Sequence, residues 1–278
     1  MTELTKLNES EAVIGPGERD RPSDEEILKF EKEIKKAEQE KALISQKMDF
    51  TQLKLEYSKS GSNLTSQYSM MRTTRRDGNC FYRAVGFRFC EILKRELSDQ
   101  NNSTSKFKPW ATWAFNNVKE SKNLLVKGGY DLIAVEDFYT MFIETLNKEP
   151  DQIFADFLTE YVSDTIVCYL KLVTAAYLKL NSEMFEMFIL DSYPTLEDFI
   201  SSQVVPMNIE ADNPQIVALV NALGLNVKIA NLDTSLTQNG EENYHDFSPF
   251  ESVVDNIPTV TLLFRPGHYD ILYPNYEQ

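Results

Sequence analysis

Residues 75 to 87 read RRDGNCFYRAVGF, a turn followed at once by a helical pattern, with a single cysteine at the junction. Asp77, Gly78 and Asn79 form a strong turn signal, because Gly and Asn accept the positive φ angles that a tight bend needs. Phe81, Ala84, Val85, Ile92 and Leu93 then recur as one inward helical face, which Gly86 weakens without ending. The junction predicts Cys80 at a helix N-terminus, where unpaired amides and the helix dipole favour an anion. Arg75, Arg76 and Arg83 stand nearby in sequence, and together these influences predict a thiol pKa lowered by about one to several units. Backbone N–H groups of Asp77, Gly78, Asn79 and Cys80 could converge on a carbonyl oxygen under attack, forming an oxyanion hole. For Asp77, holding the turn by accepting backbone hydrogen bonds is the commoner role in an Asp-Gly turn, ahead of direct proton transfer.

A cysteine nucleophile needs a base, and the chain offers only two histidines, His245 and His268. His245 lies in GEENYHDFSPF, a polar stretch read as an exposed loop. His268 follows the turn residues Arg265, Pro266 and Gly267 and heads a predicted strand, so His268 and Asp270 project from the same face while Tyr269 points away. A carboxylate so placed can hold one imidazole nitrogen and leave the other for a thiol, though an ordinary His-Asp pair at a strand end has the same pattern. Cys90, inside the helix after Cys80, and Cys168, on the most apolar helix, read as small core residues.

The composition bounds these readings. With 42% hydrophobic and 26% charged residues the chain reads as a soluble globular protein, and no run of about 18 apolar residues exists to span a bilayer. The N-terminus lacks an apolar signal core and is acidic, so the expected location is the cytosol or the nucleus. Three scattered cysteines suggest neither a disulfide framework nor a zinc site. The net charge of −15 is uneven: −4 over residues 1 to 50, +8 over 51 to 128 and −19 over 129 to 278. The acidic stretch would repel nucleic acid and suits a basic partner.

Along the chain, residues 1 to 22 read as a disordered tail. Ser23 and Glu26 form a capping-box signature, and Ile27, Phe30, Ile34, Ala37, Ile44 and Met48 continue a narrow apolar stripe, predicting one helix over 23 to 48. Such a helix could serve a partner, pack on its own domain or pair with a copy of itself. SGSN at 60 to 63 reads as a hinge before the main domain, and SDQNNSTSKFKPW at 98 to 110 as a loop. Helices are predicted over 111 to 127, from near Val135, near 151 to 158, after an N-cap at Ser163, within TLEDFISSQV, and over NPQIVALVNALG with Gly224 as its stop. Strands come late, at 225 to 232, 259 to 264 and 268 to 273, the last two as a hairpin. Many helices followed by a small C-terminal sheet give an α+β class.

RRDGNCFYRAVGF resembles the nucleophile segment of the otubains, cysteine proteases of the ovarian-tumour class that remove ubiquitin, and LLFRPGHYDILYP resembles their histidine segment. EDFYTMFIETL, TIVCYLKLVTAAYL and VVPM extend the likeness from about residue 24 to the C-terminus. The resemblance implies a papain-like fold, a catalytic domain over 61 to 278, and a helical extension over 23 to 60 that binds ubiquitin or a partner. It implies Cys80 as nucleophile, His268 as general base and acid, Asp270 as the residue orienting that histidine, and Asp77 as a loop aspartate tied to the active site. The implied reaction is hydrolysis of isopeptide bonds in ubiquitin chains through an acyl-enzyme, with the proteasome-targeting linkage as the expected chain type and no metal or organic cofactor. Ubiquitin and polyubiquitin are the implied partners, the basic face of ubiquitin matching the acidic stretch. Ubiquitin-conjugating enzymes are a further implied partner, engaged through a helix on which Ile27, Phe30 and Ile34 are the expected contacts. The alternative function is inhibition of those enzymes by binding alone, and a papain-like peptidase of ordinary proteins is a third reading.

Overall fold

The computed structural model describes residues 23–50, 64–98, 105–231, 243–251 and 254–275. The tail over 1 to 22 and the hinge at 60 to 63 fall outside these residues. The chain divides into two units, Met1–Glu40 and Lys41–Gln278.

In the first unit, helix α1 spans Asp24–Gln39. It opens on the expected capping box: Glu26 N donates to Ser23 Oγ at 3.3 Å, and Ser23 N donates to the Glu26 carboxylate at 2.9 Å. The predicted extension of this helix to residue 48 is wrong. Leu43, Ile44 and Phe50 are buried in the larger unit, where Ile44 bridges Thr74 and strand β1 (Met48–Asp49) pairs with Met70 and Met71. Tertiary pairing overrides a helical spacing that happened to continue past Gln39. The unit boundary accordingly lies at residue 40, ahead of the expected hinge.

In the larger unit a short helix α2 (Leu64–Gln67) leads into β2 (Tyr68–Arg72), and α3 runs Cys80–Ser98. Four helices follow: α4 (Lys108–Lys127), α5 (Leu132–Leu146), α6 (Pro150–Leu158) and α7 (Glu160–Leu180). Then come α8 (Ser182–Ile189), α9 (Leu196–Phe199) with a π-helical turn at Ile200–Val204, and α10 (Asn213–Leu223). The remaining strands are β3 (Asn226–Asn231), β4 (Asn243–Phe247), β5 (Thr259–Arg265) and β6 (His268–Pro274). The sheet order is β1-β2-β6-β5-β3-β4, antiparallel except for the β3–β5 pair.

Helix α3 packs on β6 and β5 on one side and on α7, α6, α4 and α5 on the other, and its predicted inward face is fully buried. Gly86 is the point of close approach: a Cβ there would meet Leu170 Cδ1 at 2.7 Å, so the missing methyl lets α7 close on α3. The predicted β5–β6 hairpin forms, with Arg265 opposite His268 and Leu263 opposite Asp270.

Four local expectations fail. The late-strand reading missed β2, which forms antiparallel to β6 with Arg72 opposite Ile271. Lys108–Trp110 is helix, not loop, since Pro109 fits a first turn and buried Trp110 donates Nε1–H to Gly224 O at 2.6 Å. Ser163 does not cap α7, which begins after Thr159; Ser163 is buried inside it and accepts from Arg83 Nε at 3.0 Å. His245 is on strand β4 opposite Ile229, though exposed as expected. No helix among the described residues is long and apolar enough to cross a membrane.

Candidate active site

Cys80 and His268 are far apart in sequence, and the sheet closes the gap. β2 runs beside β6, so the segment that follows β2, carrying Thr74 and then the Asp77–Asn79 turn, leaves the sheet next to the start of β6. Thr74 fixes the join, donating Oγ1–H to Tyr269 O at 2.6 Å and its backbone N–H to Asp270 Oδ1 at 3.0 Å.

The turn is built by its own side chains. Asp77 Oδ1 accepts from Asn79 N at 2.8 Å, Gly78 sits at φ +77°, and Arg83 N donates to Asn79 O at 3.0 Å as the first bond of α3. Cys80 begins α3, as the sequence predicted. Asp77 Oδ2 accepts from Arg83 at 2.7 Å, and Arg83 also reaches Asp164 at 2.8 Å. Asp77 is thus engaged on both oxygens as the turn's anchor. Its own amide donates to Arg75 O and the Asn79 amide to Asp77, so of the four amides expected to form an oxyanion hole these two are already engaged.

The Asn79 side chain does something the sequence did not show. Its Nδ2 donates to Asn208 Oδ1 at 2.9 Å and its Oδ1 accepts from Asn208 N at 2.8 Å, clamping the turn to the loop after α9. Asn208 takes φ +63°, and a Cβ on Gly78 would lie 2.4 Å from its carbonyl carbon and oxygen, so only glycine permits this approach.

His268 and Asp270 meet as the strand alternation predicted. Nε2 of His268 lies 2.9 Å from Asp270 Oδ1, with both side chains buried. With the carboxylate accepting from Nε2–H, the lone pair falls on Nδ1, which is buried and has no hydrogen-bond partner among the described residues. Asp270 is held further by Arg265, whose guanidinium pairs with Oδ2. Arg265 and Thr74 are site residues that sequence reasoning missed; the one available signal was Arg265 at the turn opposite His268.

The thiol contradicts the sequence expectation. Burial pushes the Cys80 pKa up to about 12; the backbone N–H of Tyr269 opposes this, while Asp77, Glu210 and Asp270 add to it. The nearby arginines do not offset it. Arg75 is bound to Lys41 O and Glu160, Arg83 to Asp77, Asp164 and Ser163, and Arg76 is exposed. Of the other cysteines, Cys90 is in the core as expected, whereas Cys168 is half-buried with its sulfur 3.4 Å from Met207 Sδ. In the first unit, Phe30 and Ile34 are 57% and 62% exposed and Ile27 is half-buried.

A cysteine at a helix N-terminus, facing the strand that carries a buried His-Asp pair, is the layout of a papain-like peptidase, and family comparison agrees: residues 36–274 match the model described as Peptidase C65 Otubain. The chain is an otubain. It is 34% identical over 243 residues to the Homo sapiens protein named ubiquitin thioesterase OTUB1, covering 83% of each chain. It is 35% identical over 228 residues to an Arabidopsis thaliana protein named ovarian tumor domain-containing deubiquitinating enzyme 1, covering 76% of this chain and 72% of that one. Among solved structures, this otubain is similar to the one described as "The structure of h/ceOTUB1-ubiquitin aldehyde-UBC13~Ub". That match has a TM-score of 0.74 and 26% identity, covering 91% of this chain and 98% of that chain. The α+β, papain-like fold expected from sequence is therefore the fold of this otubain.

Proposed function

We propose that this otubain hydrolyses isopeptide bonds in ubiquitin chains, with Cys80 as nucleophile, His268 as general base and acid, and Asp270 orienting the histidine. The observation that carries the reading is the unpartnered Nδ1 of buried His268, on the same strand whose Tyr269 N–H reaches the Cys80 thiol. Nδ1 takes the thiol proton as sulfur attacks the carbonyl carbon of the ubiquitin C-terminus, and the oxyanion so formed is received by the amides of Gly78 and Cys80. The imidazolium, held by Asp270, returns its proton to the departing lysine amine and leaves a thioester. Water, deprotonated by His268, then releases ubiquitin. Relatives named ubiquitin thioesterases support the substrate class.

Within that class we place the proteasome-targeting linkage as the preferred chain. Incubation with a panel of differently linked diubiquitins, wild type against Cys80→Ala, tests activity and linkage together. Cleavage should be confined to that linkage and absent from Cys80→Ala; full cleavage by the variant would overturn the reading.

A second reading is supported by the exposure of Phe30 and Ile34 on α1 and by solved relatives described with UBC13~Ub and UBCH5B~Ub. On it, the protein also restrains ubiquitin-conjugating enzymes by binding, without cleavage. Inhibition of chain synthesis should then survive Cys80→Ala and be lost with Phe30→Ala and Ile34→Ala together; unchanged inhibition in the double variant would refute it.

A further inference from the structure

Lys171, on α7, is a fully buried lysine without a carboxylate partner among the described residues. Its Nζ donates to three backbone carbonyls, Val204 O at 3.3 Å, Pro206 O at 3.0 Å and Ile209 O at 3.1 Å, and lies 4.6 Å from the centre of the Tyr82 ring. An ammonium has three N–H donors, and here all three are taken by one short segment of chain. That segment brackets Asn208, the residue in left-handed backbone that clamps Asn79 and packs on Gly78. Burying an unpaired cation is unfavourable, and so is left-handed backbone at a non-glycine residue, so their pairing in one place calls for a reason.

We propose that Lys171 is a positioning residue for the nucleophile turn: by gathering the carbonyls on both sides of Asn208 it holds the 204–209 loop against Asn79 and Gly78, and so keeps the amides of Gly78 and Cys80 in place. The inference rests on the reading of Cys80 as nucleophile. No side chain of the loop contributes to the grip, which goes wholly to backbone oxygens. A neutral lysine has one N–H fewer and no charge with which to hold them.

Burial lowers the Lys171 pKa to about 8, while Cys168, Asp77 and Cys80, the titratable groups that face it from α7 and the turn, favour its charged form. As pH rises through 8, one carbonyl loses its donor and the clamp loosens. Linkage runs the other way for global stability. The unfolded lysine keeps its proton to its ordinary value of 10.5, so the unfolded state binds more protons between the two values and the fold gains stability as pH rises through that window. Positioning therefore predicts falling activity without falling stability over the same window.

The test compares wild type, Lys171→Arg and Lys171→Met. kcat and KM for diubiquitin cleavage are read from pH 6.5 to 9.5, melting temperature over the same range, and amide hydrogen exchange at pH 7. Wild-type kcat should fall with a midpoint near pH 8. Lys171→Arg should retain kcat within about threefold at pH 7 and lose that limb, because a guanidinium stays charged. Lys171→Met should lose at least tenfold in kcat with KM within threefold, and should exchange faster in both 204–209 and 77–80. An unshifted limb in Lys171→Arg would overturn the proposal even if the Met variant fails to fold. So would a folded Met variant with wild-type kcat, or faster exchange in 204–209 alone. A wild type that cleaves no diubiquitin while the Met variant loosens both segments refutes the deubiquitinase reading and leaves the clamp standing.

Discussion

Gly78→Ala places a methyl where the structure has least room for one. Two effects add. The backbone at φ +77° is left-handed, which disfavours alanine by about 1–2 kcal/mol. The new Cβ would also meet the carbonyl carbon and oxygen of Asn208 at 2.4 Å, whereas ordinary contact begins near 3.4 Å, so turn and loop must part by about 1 Å. Parting them breaks the two Asn79–Asn208 hydrogen bonds, at about 1 kcal/mol each. The sum is about 3–4 kcal/mol, a fall in melting temperature of roughly 6–16 °C for a unit of this size. A shift of about 1 Å in a catalytic loop lowers kcat by on the order of 100-fold. Gly129→Ala is the control: its φ is +88° but no atom of the described residues lies within 4 Å of the new Cβ, so it should show only the backbone effect, with unchanged kcat. Scanning calorimetry and diubiquitin cleavage read both quantities. If Gly78→Ala melts like the control and keeps kcat within twofold, the loop–turn clamp has no role in positioning.

Asp270→Asn keeps the shape of a buried side chain that accepts from His268, Thr74 and Arg265. It should lower kcat by on the order of 1,000-fold through a misoriented imidazole, and a loss below tenfold would remove Asp270 from that role. Arg83→Met removes a cation with no solvent exposure that ties Asp77 to Asp164 and Ser163. Asp77 and Asp164 keep access to water, so the loss should sit at the low end for a broken buried pair, about 3 kcal/mol, and a melting point within 2 °C of wild type would contradict it. In His268→Ala the thiol lacks the proton acceptor that the proposed mechanism assigns to it. Mass-resolved alkylation of Cys80 should then rise about tenfold per pH unit from 7 to 10 with no plateau, and a plateau below pH 9 would show that the thiol ionises unaided.

What was legible in the sequence was local. The Asp-Gly-Asn turn and the apolar spacing after it fixed the start of α3 at Cys80, and period-two alternation put His268 beside Asp270. What was illegible depended on distant partners. Tyr68–Arg72 has no clear alternation and becomes a strand through β6, about two hundred residues on. Ile44 and Met48 fit a helical stripe, but core burial and pairing with the segment before Cys80 decide their conformation. Asn208 lies in no motif, and the segments that hold Lys171 and Arg265 do not reveal their roles; each acquires meaning from what it touches.

The thiol expectation failed for a reason that bears on mechanism. Sequence proximity placed three arginines near Cys80, but a cation lowers a thiol pKa only if its charge is aimed at the sulfur and not already paired. Arg75 and Arg83 are paired with Glu160, Asp77 and Asp164, and Arg265 with Asp270. These pairs build the turn and anchor Asp77 and Asp270, two of the carboxylates that disfavour the thiolate, while burial removes water from the sulfur. In such surroundings a lone thiolate is disfavoured, and the proposed mechanism avoids one by passing the sulfur proton to His268 as attack proceeds. On the proposed mechanism the arginines contribute geometry, holding the turn and the Asp270 carboxylate in the arrangement that the transfer to His268 requires.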